Sequence, residues 1–384
     1  MAATGAVIVG AYEHPRREIP DRSVAQLHAE VAAGALADAG LALSDVDGYL
    51  CDSTAPGGAL GMAEYLGIRP RYLDSTETGG SSYLAHVGHA ADAIAAGRCR
   101  VALCTMAGRP RTGPRPVRGL PAPAAAFEEL AGITATVQNY ALVAMRHMAE
   151  FGTTAEQLAA VKVAAAAHAQ HNENALLRQP VSIADVLASP MISDPLHRLD
   201  CCVVTDGGGA VIVAAADVAR STGARGAHVL GHAQAVSHSD GGRIDLTTTA
   251  AARTGPAAVR AAGVSLDQID YASIYDSFTI TVVITLEDLG FCAKGSGGPF
   301  AASGALLAPD GGLPINTDGG GLCNNQPASR GGMPRIIEAV RQLRGEAHPA
   351  VQVPGCAIAL VHGTGGRLAT RAGSATLIFG REPR

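Results

Sequence analysis

The chain has 384 residues, enough for one large domain or two moderate ones. Its formal charge is -5 at pH 7 and no basic block occurs, which excludes the electrostatic footprint of a nucleic-acid or anionic-membrane binder. Apolar residues make up 47% and charged ones 16%, with Trp absent, so the composition describes a soluble α/β protein with close-packed helices and a large core.

The first ten residues lack a basic region and a long apolar core, so no signal peptide is expected. No apolar run is long enough to span a bilayer, and the cytoplasm is the expected compartment. Ala6 to Val9 reads as a buried strand. A helix follows from Ser23 to Ala39, with Ser23 as N-cap and Gly40 as C-cap. The segment Gly40-Leu41-Ala42-Leu43-Ser44-Asp45-Val46-Asp47 then leads into a strand. Gly263-Val264-Ser265-Leu266-Asp267-Gln268-Ile269-Asp270 does the same 223 residues later (263 minus 40). Gly79-Gly80 precedes a helix from Tyr83 to Ala96 and a strand from Val101 to Thr105. Gly331-Gly332 precedes a helix from Ile336 to Leu343 and a strand from Ala357 to Val361. Two copies of helix, strand, glycine turn, helix and strand make an internal duplication, here divided as 1–225 and 226–384. Each half is expected to be a central sheet covered by helices.

An insertion, 110–198, interrupts the first half. Pro110 to Pro123 reads as a loop. Arg109, Arg111, Arg115 and Arg118 in and beside it could meet phosphates, although a solvated charge cluster is the ordinary reading. Residues 126–172 are helical and Ala-rich, and 174–198, with Pro180, Pro190 and Pro195, form an irregular cover. The chain re-enters the sheet from Cys201 to Ala214, a run apolar enough to be buried on both faces. The eight cysteines include no C-x-x-C pair, and most lie in apolar runs as small buried hydrophobes. Gly319 to Gly332 mixes glycine with Asn324, Asn325 and Gln326, which lets the backbone approach a ligand closely and brings amide groups with it.

These features resemble the thiolase superfamily. The stretch Tyr140 to Val213 is similar to the sterol-carrier-protein-type thiolases and lipid-transfer thiolase-like proteins. His147 to Leu158, Ser189 to Pro195 and Leu199-Asp200-Cys201-Cys202 carry that likeness. The resemblance implies a thiolase fold of five layers, αβαβα, built from two duplicated halves with a helical loop-domain insertion. Thiolases place a nucleophilic Cys in a Gly-Gly-Ala-Cys turn; the matching turn is Gly79-Gly80-Ser81-Ser82, with Ser82 at the Cys position. Their Asn-Glu-Ala-Phe or His-Asp-Cys-Phe motif is Tyr275-Asp276-Ser277-Phe278 here. Their Gly-His-Pro turn is Asn325-Gln326-Pro327, and their Cys-x-Gly turn places His362 at the second Cys.

The replacements are polar, and Tyr-Asp-x-Phe resembles the thiolase-like aldolases that cut steroid side chains from 3-hydroxyacyl-CoA thioesters. The chemistry so implied is retro-aldol cleavage of a β-hydroxyacyl-CoA, with an enolate on the thioester oxygen and no acyl-cysteine. Tyr275 and His362 are expected to handle protons, and Gln326 to donate to the thioester oxygen. The backbone at Ser82 or Gly365 would add a donor. Asn325 and Gly365 are candidates for positioning substrate, and Asp276 is first a structural residue holding a backbone amide. Coenzyme A would be a substrate carrier, with no tightly bound cofactor and no metal. The resemblance further implies a homodimer, joined by a small partner that links a zinc ribbon to an OB-fold in a heterotetramer. Two alternatives stay open: an acyltransferase rebuilt around Ser82 or another Cys such as Cys323, and a silent subunit that binds CoA or a partner.

Overall fold

The computed structural model describes residues 5–114, 125–238, 243–327, 331–367 and 372–383. Two glycines set its repeat. Gly40 and Gly263 both end a helix in the left-handed conformation, at φ 64° and 66°, where a side chain would be strained. A single tight turn follows each, and the chain then enters a strand.

The first half runs β1 (Ala6–Glu13), α1 (Val24–Ala39), β2 (Gly48–Leu50), α2 (Gly58–Leu66), β3 (Tyr72–Asp74), α3 (Ser82–Ala95) and β4 (Val101–Gly108). Ser23 caps α1 as expected: its hydroxyl accepts from Gln26 N–H, and Gln26 reaches back to Ser23 N–H. The insertion holds α4 (Ala125–Leu130), α5 (Thr136–Phe151), α6 (Ala155–Ala169), α7 (Ile183–Ala188) and a small hairpin, β5 (Met191–Ser193) with β6 (Leu196–His197). The chain returns through β7 (Gly207–Ala215) and α8 (Ala216–Thr222). The second half runs β8 (Ala227–Ser237), α9 (Ala251–Ala262), β9 (Tyr271–Ile274), α10 (Thr279–Leu289), α11 (Gly297–Ala302), α12 (Gly320–Cys323), α13 (Gly332–Arg344), β10 (Ile358–Gly366) and β11 (Ala372–Gly380).

The strands order as β3-β2-β4-β7-β1-β8-β11-β10-β9. Read outward from the β1·β8 seam, β7-β4-β2 on one side mirrors β11-β10-β9 on the other. That seam consists of two residue pairs, Val7 with His228 and Ile8 with Ala227. Alternation along the strands sorts three cores. Val7, Tyr49, Leu103 and Ile212 pack on α1 and α2. Ile274, Leu360 and Ile378 pack with α9 and α10, joined by α5 and α6 of the insertion. The opposite faces of both halves, with Ile8, Val211, Val361 and Phe379, enclose α3 and α13 between them. The result is five layers, αβαβα, with a central helix pair common to both halves.

One element differs from the sequence reading. The strand expected from Cys201 begins at Gly207. Cys201 to Asp206 instead runs beside the second-half loops: Cys202 N–H donates to Ser277 O, Val203 to Gly321 O and Thr205 to Gln326 O. Asp206 accepts from the N–H groups of Ile19, Arg111 and Thr112. Among the described residues no helix is long and apolar enough to cross a membrane.

Candidate active site

Tyr275 leaves the end of β9, its N–H bonded to His362 O at 2.9 Å. Its ring enters the central layer, where glycine turns from both halves converge. A Cβ at Gly80 would lie 2.4 Å from Tyr275 Cε2 and 2.6 Å from Thr364 O. A Cβ at Gly365 would lie 1.7 Å from Thr78 O. Glycine at Gly80 lets backbone approach the ring, and glycine at Gly365 lets the second-half turn pack on the Thr78–Gly80 turn. The phenol is 5% exposed, and Gln326 Nε2 donates to its oxygen at 2.5 Å. Burial, together with Cys202 and Tyr140 nearby, pushes the phenol well above its ordinary pKa, although the Gln326 bond opposes this. Tyr275 therefore keeps its proton at neutral pH.

The structure brings Tyr275 and Gln326 together, and sets the backbone of Gly365 against Thr78 and Gly80 in the turn that meets the ring. It places the other expected residues elsewhere. Ser82 does not face Tyr275: its hydroxyl is buried and accepts from Thr78 N–H at 2.8 Å, closing its own turn. The residue of that turn directed at the ring is Gly80, two positions earlier. His362 lies on the opposite face of β10, paired beside Ile274 in the layer of α9. Its Nδ1 meets Thr376 Oγ1 at 2.8 Å, and Thr376 in turn meets Thr254 of α9 at 2.9 Å. Among the described residues Nε2 has no hydrogen-bond partner, and burial pushes the imidazole down to about 3, so it is neutral. The expected Tyr275–His362 relay is corrected accordingly: strand alternation sends the two side chains to different layers.

Asn325 does not present its amide to a ligand. Its Oδ1 accepts from Thr205 and its Nδ2 donates to Glu13, at 2.7 and 2.8 Å. Asp276 accepts from Gly321 and Leu322 N–H at 2.7 and 3.1 Å, holding the first turn of α12. Burial raises its carboxyl to about 6. Cys323 packs on Lys162, whose Nζ lies 3.1 Å from its sulfur. Arg109 bonds to the carbonyls of Arg22 and Pro20, and Arg111 pairs with Glu18. Arg115 and Arg118 lie outside the described residues.

Sequence reasoning missed three features. Tyr140 and Cys202 stand near Tyr275; Tyr140 hydrogen-bonds Ser277 and packs on Phe278 with ring centroids 4.3 Å apart and planes tilted by 35°. In the sequence both belong to the stretch that carries the family likeness, and nothing local to either directs it at Tyr275. Beneath the site lies a buried ionic network. Arg335 pairs with Asp318 at 2.7 Å, Asp318 accepts from Asn324 at 2.8 Å, and Arg17 bridges Asn324 and Glu13. It fixes the floor from which Asn325 and Gln326 rise. Among the described residues no His, Cys, Asp or Glu cluster suits a metal ion.

Residues 233–381 match the family model described as thiolase C-terminal domain-like. The chain is 34% identical over 354 residues to a steroid side-chain-cleaving aldolase of Thermomonospora curvata, covering 88% of this chain and 89% of that one. It is 33% identical over 362 residues to the 17-hydroxy-3-oxo-4-pregnene-20-carboxyl-CoA lyase of Mycobacterium tuberculosis, covering 90% and 93%. An acetyl-CoA acetyltransferase of Methanothermobacter thermautotrophicus is 38% identical over 239 residues, which span 61% of either chain. The solved structure of an Ltp2-ChsH2(DUF35) aldolase matches with a TM-score of 0.89 at 32% identity, over 99% of this chain and 98% of that one.

Proposed function

The chain belongs to the thiolase superfamily, beside the aldolase and lyase that it matches over most of their length, and we propose that it is itself a carbon–carbon lyase acting on a β-hydroxyacyl-CoA. The observation that carries this reading is the convergence on Tyr275. Where the first glycine turn approaches the ring, the chain has Gly80 rather than a nucleophile. Ser82 closes its own turn, Cys323 packs on Lys162, and Cys202, which does stand near the ring, is a buried thiol pushed up to about 12 and so carries no thiolate at neutral pH. An acyl-enzyme route, which the 38% identical acetyltransferase would suggest, asks for a nucleophile facing Tyr275. Aldol chemistry does not.

Tyr275 is the proton carrier in this scheme. Its oxygen accepts from Gln326, so its own hydrogen is left to donate. In the condensation direction it protonates the alkoxide at Cβ as the carbon–carbon bond forms. In the cleavage direction the minor phenolate form takes the β-hydroxyl proton, the Cα–Cβ bond breaks to release the carbonyl product, the electron pair moves to the thioester oxygen as an enolate, and the phenol returns the proton to Cα, which restores the phenolate. Gln326 acts on Tyr275, which it positions and whose phenolate it stabilises. The backbone of the turns at Gly80 and Gly365 is the candidate for holding the enolate oxygen. Coenzyme A is then the handle of the substrate. The expected assembly is a homodimer with a small zinc-ribbon/OB-fold partner, and co-expression with such a partner is the way to obtain the active form.

The test is Tyr275→Phe, assayed for release of the carbonyl product from a β-hydroxyacyl-CoA, with circular dichroism to check the fold. A loss of about 10²–10⁴-fold is expected for a positioned proton carrier. A folded variant with near-wild-type turnover removes Tyr275 from the chemistry. Intact-mass analysis after incubation with acyl-CoA covers the competing route, since a stable acyl adduct would favour acyl transfer.

A further inference from the structure

Helix α6 is Ala-rich, and one of its buried positions is out of keeping: Lys162 is 1% exposed. Its ammonium donates to Leu322 O at 2.7 Å and contacts Cys323 Sγ at 3.1 Å. The carbonyl is neutral, and burial holds the Cys323 thiol on its protonated side. The carboxylates of the surrounding elements are engaged elsewhere. Asp200 accepts from His197 N–H at 2.9 Å and Thr279 Oγ1 at 2.8 Å, and Asp276 holds the α12 turn. Among the described residues Lys162 has no ion pair. A buried ammonium without a counter-charge costs several kcal/mol, and such groups are ordinarily paired.

The missing partner has room. Lys162 and Cys323 line a cavity of about 350 Å³ whose other walls include Leu176, Leu177, Val181 and Leu199. An ammonium carries three hydrogens; two are directed at the carbonyl and the thiol, which leaves one. The exposed Arg178 and Gln179 also line it, and leucine and valine walls around the one buried cation define a ligand with one negative end and an apolar body.

We propose that this cavity is a binding site for a small carboxylate with an apolar tail, its carboxylate on Lys162 and its tail among the leucines. The site is distinct from the Tyr275 centre and does not rest on the aldolase reading. It is wired to that centre through the chain itself. Leu177 N–H bonds to Cys323 O at 2.9 Å and Leu176 N–H to Asn324 O at 3.4 Å, two residues before Gln326. Occupancy would therefore bear on the segment that holds Tyr275.

The experiment is calorimetric titration of the intact protein with octanoate, octanol and acetate, repeated on Lys162→Met and Leu177→Trp. Octanoate should bind one per chain. Octanol lacks the charge and acetate the tail, and each should bind at least about tenfold more weakly, a difference of about 1.4 kcal/mol. Lys162→Met replaces a buried cation by an apolar side chain of similar length; it should fold at least as stably and lose octanoate binding. Leu177 is partly exposed, so Leu177→Trp should fold while filling the cavity, and it too should lose octanoate. Absence of octanoate binding to the wild type, equal affinity for octanol, or unchanged octanoate affinity in either variant overturns the proposal. Should Lys162→Met not fold, the octanoate–octanol comparison and Leu177→Trp decide it alone.

Discussion

Replacing Gly80 by Ala asks for space that Tyr275 already fills. The added methyl would lie 2.4 Å from Cε2 and 2.8 Å from Cζ of the ring, and 2.6 Å from the Thr364 carbonyl oxygen. Ordinary carbon–carbon contact is about 3.5–4.0 Å, so the ring has to withdraw by about 1 Å or more. The backbone carbonyl cannot yield in the way a flexible side chain does. Gly80 is not in the left-handed region, so alanine is allowed by the backbone and the whole effect is steric. Withdrawal of the ring breaks the 2.5 Å bond from Gln326. Overpacking of this kind costs about 1–3 kcal/mol of stability, and a misplacement of about 1 Å costs about 10²-fold in rate. The assay is kcat/KM for cleavage of a β-hydroxyacyl-CoA beside a thermal melt. Gly40→Ala is the control: φ is 64° with no atom near the new methyl, so stability should fall by about 1–2 kcal/mol while turnover stays. Adding Gly80→Ala to Tyr275→Phe should cost little further activity, because both act through the same hydroxyl. A Gly80→Ala protein with wild-type kcat/KM and melting temperature would refute the packing argument.

Three further outcomes are expected. Ser82→Ala should keep its turnover but lose about 1–3 kcal/mol of stability, since Thr78 N–H is left without its acceptor; a turnover loss beyond tenfold would return Ser82 to the chemistry. His362→Asn should change turnover by no more than a few-fold, because the imidazole serves Thr376 in another layer; a loss of about 10²-fold would restore it as a proton carrier. Glu338 lies 3.2 Å from Arg341, but Arg341 is shared with Glu13, and burial with Asp318 nearby raises the Glu338 carboxyl from 4.5 to about 7. A carboxyl raised in this way stabilises the fold fully below pH 4.5 and loses that contribution as pH climbs through 7. The melting temperature of Glu338→Gln, relative to wild type, should therefore rise across that window; a flat difference contradicts the assignment.

Local patterns carried the fold. Ser23 with Gln26, and the paired Gly40 and Gly263, are signals within a few residues of one another, and the duplication follows from them. Tyr275 and Gln326 could be singled out as candidates because each stands in a short motif, and the structure sets one against the other. The misplacements were errors of one or two residues in direction. Gly80 and Ser82 share a turn, and only the turn's three-dimensional course decides which one faces the ring. His362 and Gly363 are neighbours on β10, and alternation sends them to opposite layers: a Cβ at Gly363 would touch Leu84 of α3. The buried network was out of reach for a different reason. Arg17 and Asn324 are 307 positions apart, and nothing local to either shows that they meet.

The helix pair α3 and α13 has a consequence for how the molecule comes into being. Its core draws Val87 and Ala90 from one half and Ile336 and Val340 from the other. While the chain is being synthesised, the first half therefore carries an uncovered apolar face until α13, late in the chain, has emerged. Burial of that face is long-range in sequence, which makes folding slow and leaves nascent chains open to aggregation or chaperone capture. The candidate centre, with Gly80 from one side of the seam and Tyr275 and Gln326 from the other, comes together only at that last docking step. Truncation anywhere in the second half should consequently abolish the site as a whole rather than trim it.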